Sequence, residues 1–373
     1  MLVEWGECNQ GSYFVEPPQG LFKDVATGWG FSVALRSDGS LASWGWAVRG
    51  NIYSGVPNGN DFVAVAAAYF HAVALRQDGS VVAWGEGNTY PASSIRSPLH
   101  TPTGPFIAIA AGEEVNAAIR TDGTLLAWGE NYCFQPVDMQ VPGAGTETSF
   151  SSISGSGHHF VAKESGESGM LRGWGPGPVC NSSNYTSHNQ AAVPSGYEIP
   201  RQFAAGHAHS FVIRQSDGAF HGWGLSNWGQ TGVAPSNPPT SEYVAPPVPM
   251  PALRFATGGY HHGVGLTEAG QLIGWGRNSV CQAQPPSAVP TYGSYLRVSS
   301  SYNHGVALRG LSCYANCDQS TGSPVLTAND FACFLNMYAV EDPLANCDGS
   351  TGTPVLTAND YQCFLNAYAQ GCP

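Results

Sequence analysis

Short runs of alternating apolar and polar residues recur through residues 1–310, separated by stretches rich in Gly, Pro, Ser and Asn. A period of two predicts half-buried β-strands rather than helices. One phrase returns along the chain. It reads Val-Ala-Leu-Arg-Ser-Asp-Gly-Ser-Leu-Ala-Ser-Trp-Gly at 33–45 and Val-Ala-Leu-Arg-Gln-Asp-Gly-Ser-Val-Val-Ala-Trp-Gly at 73–85, with weaker copies at 117–129 and 212–224. Each copy predicts two antiparallel strands joined by a tight turn. Asp38-Gly39, Asp78-Gly79, Asp122-Gly123 and Asp217-Gly218 are expected to supply the positive φ angles of that turn. A further strand precedes each hairpin, as in 62–66 and 106–110.

Trp-Gly pairs begin at Trp5, Trp44, Trp84, Trp128, Trp174, Trp223 and Trp275, spaced 39 to 52 residues apart. Small sheets at such a period predict an all-β propeller, in which each blade covers the face of its neighbour. The last copy, 296–308, stops without its Trp-Gly strand, and the first Trp-Gly lacks the strands that should precede it. Joining them predicts a seven-bladed propeller over 1–310, closed by the N-terminal strand and without an exposed edge.

The Gly-x-x-His…Asp-Gly…Trp-Gly phrase resembles the regulator of chromosome condensation repeat, as does the segment from Trp223 to Gly232. That resemblance implies a propeller. It leaves function open, because such propellers serve as exchange factors, enzyme inhibitors or scaffolds. His71, His159, His209, His262 and His304 share one repeat position. A metal-binding ring is one reading; hydrogen bonding within each blade's own backbone is preferred, because a recurring position serves the recurring fold. The Trp of each pair is likewise assigned to inter-blade packing.

Function on a propeller sits in loops held by the blades. The connections following each Trp-Gly emerge on one rim, and those at 176–201 and 225–253 are the longest. They and their neighbours carry Tyr132, Phe134, Tyr185, Trp228 and Tyr243, aromatics suited to protein contact. Loops merely folded over the blades are the competing reading. Asn181 and Asn184 head N-glycosylation patterns.

Composition narrows the classes. Gly and Pro make up about a fifth of the 373 residues and charged residues only 11%, which disfavours a helix bundle. A formal charge of −12, with Lys23 and Lys163 the only lysines, argues against nucleic-acid binding. No apolar run is long enough for a transmembrane helix. The N-terminus shows no secretory signal, so one is expected to be lacking or already removed. The ten cysteines still point to an oxidising, extracellular or cell-surface location. Metal clusters, which want close CxxC pairs, are the disfavoured alternative. Cys8, Cys133, Cys180 and Cys281 follow their Trp closely, so pairs Cys133–Cys180 and Cys8–Cys281 are expected to staple adjacent blades.

The segment 311–373 differs. It has no Lys or Arg, six acidic residues, and a 30-residue internal repeat. Each copy predicts an oxygen-rich loop, a Thr N-cap and a short helix. Oxygen ligands at alternating positions, ending in a carboxylate at the helix start, suit calcium. Asn316, Asp318, Ser320 and Asp330 are assigned to one site, and Asn346, Asp348, Ser350 and Asp360 to the other. Thr327 and Thr357 contribute directly or through water. The pair resembles a bacterial dockerin of the cysteine-containing type. That resemblance implies docking on a cohesin-like partner. The loops are about three residues longer than that family's and carry Ser where Asp is common. A disulfide-stapled helix pair without metal is the competing reading. Cys317–Cys333, Cys347–Cys363 and Cys313–Cys372 are expected to clamp loops to helices and end to end.

No nucleophile elbow, zinc-protease, phosphate-loop or dinucleotide motif occurs. The chain is therefore read as a secreted non-enzymatic interaction or scaffold protein, with the rim as recognition face and the C-terminal module for attachment. Its expected partner is a cohesin-like module or another copy of itself. The alternative is a self-assembling subunit of an extracellular filament or surface layer.

Overall fold

The computed structural model describes residues 2–6, 17–45, 55–86, 97–129, 148–166, 169–175, 188–195, 200–236, 242–286, 295–309, 328–339 and 357–370. The chain opens on β1 (Leu2–Gly6). Five three-stranded sheets follow in chain order: β2 (Phe22–Thr27), β3 (Phe31–Arg36) and β4 (Leu41–Gly45); β5 (Phe62–Ala68), β6 (His71–Arg76) and β7 (Val81–Gly85); β8 (Phe106–Ala111), β9 (Val115–Arg120) and β10 (Leu125–Gly129); β11 (Phe150–Ser156), β12 (His159–Glu164) and β13 (Leu171–Trp174); β14 (Pro200–Ala205), β15 (His209–Arg214) and β16 (Phe220–Gly224). The sixth sheet adds the short β17 (Tyr243–Val244) to β18 (Leu253–Gly258), β19 (His262–Thr267) and β20 (Leu272–Arg277). The seventh comprises β21 (Tyr295–Ser301), β22 (His304–Arg309) and β1, in the order β1-β22-β21. In it Leu2 pairs with Leu308 and Gly6 with His304, all antiparallel.

The first strands of successive sheets touch in turn, β2 on β5, β5 on β8, and so on to β18 on β21. β21 in turn touches β2. Helices α1 (Ala328–Ala339) and α2 (Ala358–Gln370) follow.

The recurring phrase explains the recurring geometry. Gly39 N–H donates to Arg36 O at 3.0 Å and Arg36 N–H to Ser40 O at 2.8 Å, a three-residue hairpin loop rather than a two-residue one. Only the glycine has a positive φ, 89°. Asp38 instead accepts from Ser40 N–H and Oγ–H at 2.8 and 2.7 Å, which corrects the expectation that both residues adopt the left-handed region. The glycine of Trp-Gly is fixed by close approach. At Gly129 φ is 106°, and a Cβ would lie 2.2 Å from Glu114 O. At the other end of the sheet, Arg36, Arg76 and Arg120 cover the rings of Phe22, Phe62 and Phe106.

The core lies between sheets. Trp84 packs in one cluster with Phe31, Val33 and Leu35 of the first sheet. Trp44 packs with Leu2, Val306 and Leu308 of the seventh, and Trp5 with Val264, Leu266 and Leu272 of the sixth. Each indole thus seals one sheet against the one before it. A buried aromatic of 150–250 Å² contributes roughly 4–6 kcal/mol of transfer free energy as an upper figure.

The five histidines are all buried, but their bonding departs from the expectation. His71 Nε2–H donates to Asn116 Oδ1 at 2.8 Å, and His159 Nε2 bonds Ser210 Oγ at 2.7 Å. His304 Nε2 bonds Ser32 Oγ at 3.2 Å. The partner is a side chain of the next sheet, not the histidine's own backbone, so these residues are inter-sheet pins. For His209 and His262 the corresponding position of the next sheet is Gly263 and Gly305, and neither ring has a hydrogen-bond partner among the described residues. Glycine is required there because a Cβ would lie 2.4 Å from the Trp275 ring or 2.2 Å from that of Trp5. Burial holds His71 and His304 down to about 4 and His159 and His262 down to about 3, so all four are neutral at pH 7.

Helix α2 starts on a capping box. Asp360 Oδ2 accepts from Thr357 N–H at 2.7 Å, and Asn359 N–H donates to Thr357 Oγ1 at 3.2 Å. Phe334 of α1 stacks on Phe364 of α2 with ring centres 4.1 Å apart. Among the described residues no helix is long and apolar enough to cross a membrane.

Candidate functional site

The turns joining first to second strands converge at one end of the axis. Each presents the residue two positions before the second strand: Trp29, Tyr69, Glu113, His207, Tyr260 and Tyr302. The fourth sheet has Gly157 there, with φ 52°, and a Cβ would lie 2.3 Å from His207 O. His158, one residue on, takes the place in the cluster. The turns are tied to one another: Trp29 N–H donates to Tyr69 O at 2.8 Å, Glu113 N–H to Gly157 O at 2.6 Å, and His207 N–H to Gly259 O at 3.1 Å.

The rings pack edge and face. Trp29 stacks on Tyr69 at 5.2 Å between centres, and Tyr302 lies 5.5 Å from both. Tyr302 also lies 5.1 Å from Tyr260, which sits 4.1 Å from His207. With Glu113, His158, Arg277 and Asn303 they line an open recess of about 420 Å³.

Glu113 is the electrostatic centre. His158 Nε2 lies 2.8 Å from its Oε2 and His207 Nε2 lies 3.5 Å from the same atom. Burial pushes the carboxyl up. Hydrogen bonds from His158 and then His207, with their charges, overcome this and hold it at about 2, so Glu113 is ionised. Tyr302 is shifted the other way: burial, then the Glu113 charge, push its phenol well above the usual range, and it stays a neutral donor to that carboxylate. Burial, then the neighbouring His207 and Arg277, hold His261 down to about 4. The arrangement offers one fixed negative charge amid half-buried aromatic faces, a combination suited to cations and to polar anchors of a partner.

Behind the recess the seven first strands line an axial cavity of about 440 Å³ with Ala, Ser and Thr. Burial pushes up the Asp24 carboxyl there, opposed by the Val25 N–H and by Arg297.

The strands ending in Trp-Gly leave on the same face as the axial turns. Glu86 N–H donates to Phe70 O, Leu225 N–H to Ala208 O and Arg277 N–H to His261 O, at 2.8 to 2.9 Å. Three of the loops that follow are latched by a buried glutamine. The indole N–H groups of Trp223, Trp275 and Trp5 donate to the carbonyls of Gln190, Gln230 and Gln282 at 2.9, 3.0 and 3.1 Å. The glutamine side chains hold their own turns, accepting from His188, Trp228 and Val280 N–H.

Of the aromatic contact residues expected from sequence, Trp228 and Tyr243 are described. Trp228 lies half-buried under the Arg277 guanidinium at 5.4 Å. Tyr243 pairs with Arg277 in the sixth sheet, and its hydroxyl is buried. Tyr132, Phe134 and Tyr185 lie outside the described residues, as do Asn181 and Asn184. So do Asn316, Asp318, Ser320, Thr327, Asn346, Asp348 and Ser350. Of the residues expected to ligate calcium, Thr357, Asp330 and Asp360 are described, and both carboxylates are wholly buried. Among the described residues no cysteine is free: Cys281, Cys333 and Cys363 are disulfide-bonded. Cys8, Cys133, Cys180, Cys313, Cys317, Cys347 and Cys372 lie outside.

Sequence reasoning missed the axial cluster. It sits two residues before the recurring histidine, and its residue type changes from sheet to sheet while the flanks repeat. That contrast is the signal that would have found it, because variation on a fixed scaffold marks a contact surface.

Residues 22–51, 62–90 and 106–135 match the regulator of chromosome condensation (RCC1) repeat. No curated protein matches the chain in sequence. Among solved structures, yeast RCC1 (Prp20) in complex with Kap60 is similar with a TM-score of 0.60 at 16% identity, covering 91% of this chain and 92% of that one. Prp20p from Saccharomyces cerevisiae, described with its binding to Gsp1p and histones, gives 0.59 at 15% identity, covering 91% and 94%. Human WBSCR16 gives 0.56 at 17% identity, covering 78% and 87%. The chain shares the fold of RCC1-type β-propellers.

Proposed function

We propose that the chain is a protein-interaction module: a seven-bladed propeller closed by its N-terminal strand, whose axial face receives a partner. The observation that carries this reading is the cluster of Trp29, Tyr69, Tyr260 and Tyr302 around the ionised Glu113. Half-buried aromatics on short, mutually bonded turns bury area on binding at small entropic cost. The reading fits the fold, which is similar to that of yeast RCC1 (Prp20), a protein that binds Kap60. No enzymatic role is assigned to the cluster. The overall charge of −12 favours a partner with a basic or neutral surface over nucleic acid.

Residues 311–373 are proposed as a dockerin-like attachment module that binds calcium, with a cohesin-like protein as its receptor. Asp330 and Asp360 are fully buried in a segment without Lys or Arg. Two buried carboxylates in a segment without cationic side chains suit a hard cation held by oxygen ligands. Disulfide-bonded cysteines support an extracellular or cell-surface location.

The test uses the full chain immobilised beside a Trp29→Ala/Tyr302→Ala variant that keeps its melting temperature. Proteins from the source organism retained by the parent and lost from the variant identify the axial face as the docking surface. Equal retention removes it. Sedimentation velocity on the same samples, showing concentration-dependent growth, would redirect the reading to self-assembly.

A further inference from the structure

The mutual bonding of the axial turns has a second outcome, at three consecutive sheets. Glu113 Oε2, His158 Nε2 and His207 Nε2 all lie within 4.8 Å of one another, delivered by turns of the third, fourth and fifth sheets. We propose that these three side chains form a binding site for a divalent transition-metal ion, with zinc as its representative.

The donor set selects the metal class. Two imidazoles and one carboxylate suit zinc and its neighbours, whereas calcium and magnesium prefer oxygen ligands alone. The spacing fits. Ligand bonds of 2.0–2.2 Å in a tetrahedron place donor atoms about 3.3 Å apart. The separations from Glu113 Oε2 are 2.8 Å to His158 and 3.5 Å to His207, so small side-chain rotations suffice. The site is also held from outside. Glu113 and His207 are anchored through their own N–H groups to the neighbouring turns. Tyr302 donates to the carboxylate, an orienting contact that metal ligands commonly require.

The three side chains are 19%, 11% and 19% exposed, sunk enough to shed water yet reachable from the recess. Three protein ligands leave at least one coordination position open. That position faces the recess lined by Trp29, Tyr69, Tyr260 and Tyr302. A water molecule, or a carboxylate or imidazole of an incoming molecule, completes the shell. This inference does not depend on the interaction reading, because the ion is held by residues of this chain alone.

The test is a calorimetric titration of the full chain with zinc chloride, in excess calcium so that oxygen-ligand sites are filled. One zinc per chain should bind at the axis, and Glu113→Gln and His207→Ala should each weaken that site at least tenfold. Zinc uptake unchanged in both variants, or no uptake by the parent, overturns the proposal. Should a variant melt early, zinc-edge X-ray absorption on the parent decides. Two imidazole ligands in the spectrum support the site, and none overturns it.

Discussion

Trp44 Nε1–H donates to Oε2 of Glu4 at 2.8 Å, linking the first complete sheet to the strand that opens the chain. Ser32 Oγ–H donates to the other carboxylate oxygen at 3.2 Å, and His304 reaches the same Ser32. A side chain only 5% exposed thus gathers two donors from the neighbouring sheet. Hydrogen bonds to a charged group contribute about 1.5–3 kcal/mol, and an orphaned buried donor costs about 1–3 kcal/mol. Glu4→Ala should therefore lower stability by about 2–4 kcal/mol in urea denaturation, and Glu4→Gln, which keeps an acceptor, by less. A parent-like midpoint for Glu4→Ala would show that β1 contributes no inter-sheet bond of consequence.

Acid should destabilise the protein well before its carboxylates are protonated. The buried histidines titrate near 6.5 when unfolded but at about 3 to 4 when folded. Between those values the unfolded chain binds the extra protons. Stability is then complete above about pH 7 and declines as pH falls, by about 1.4 kcal/mol per pH unit for each histidine. Glu113 has the opposite shift: its contribution is complete above 4.5 and is lost as pH falls toward about 2. Urea midpoints measured from pH 8 to pH 4 should be flat at first and fall steeply below pH 6. A flat line to pH 5 would contradict the burial of these rings.

Gly305→Ala is expected to be costly at a position that looks innocuous in sequence. Its Cβ would lie 2.2 Å from Trp5 Cζ2, on the strand pair that joins the two ends of the sheet region. Overpacking costs typically about 1–3 kcal/mol. Calorimetry of this variant should show a lowered transition. A parent-like transition would mean that Trp5 is free to move aside.

Calcium should protect the C-terminal segment. Extracellular modules of this kind bind at about 10⁻⁴ to 10⁻³ M, so a hundredfold excess over Kd adds about 2.7 kcal/mol. Proteolysis within 311–373 should slow with calcium and quicken with chelator, and Asp360→Asn should abolish the difference for α2. Cleavage indifferent to chelator would leave disulfides alone to hold the module.

The strands, the hairpins and the role of the Trp-Gly pairs were legible because each repeats, and repetition turns a weak local pattern into a strong one. The pairing of Trp5 with Gly305 followed from counting an incomplete phrase at either end. What could not be read was any relation between sheets at a single position. His71 reaches Asn116 rather than its own backbone because the axial packing brings 45 residues of separation to 2.8 Å. Glu113, His158 and His207 come from three different copies, so no local window contains them. Gln190, Gln230 and Gln282 are in the same position: each serves an indole that follows it by tens of residues or, for Trp5, precedes it by 277.

That last separation bears on how the chain is made. During synthesis β1 leaves the ribosome well ahead of β22, its sheet partner among the described residues, which emerges roughly 300 residues later. Until then its hydrophobic edge is a strand without a ladder, exposed to other nascent chains. Trp5 and Leu2 thus remain in water through most of translation, and the sheets formed in between must assemble without them. Binding of a holdase to the nascent N-terminus, or fusion of a bulky domain ahead of Met1, would delay this final step and leave the intermediate sheets intact.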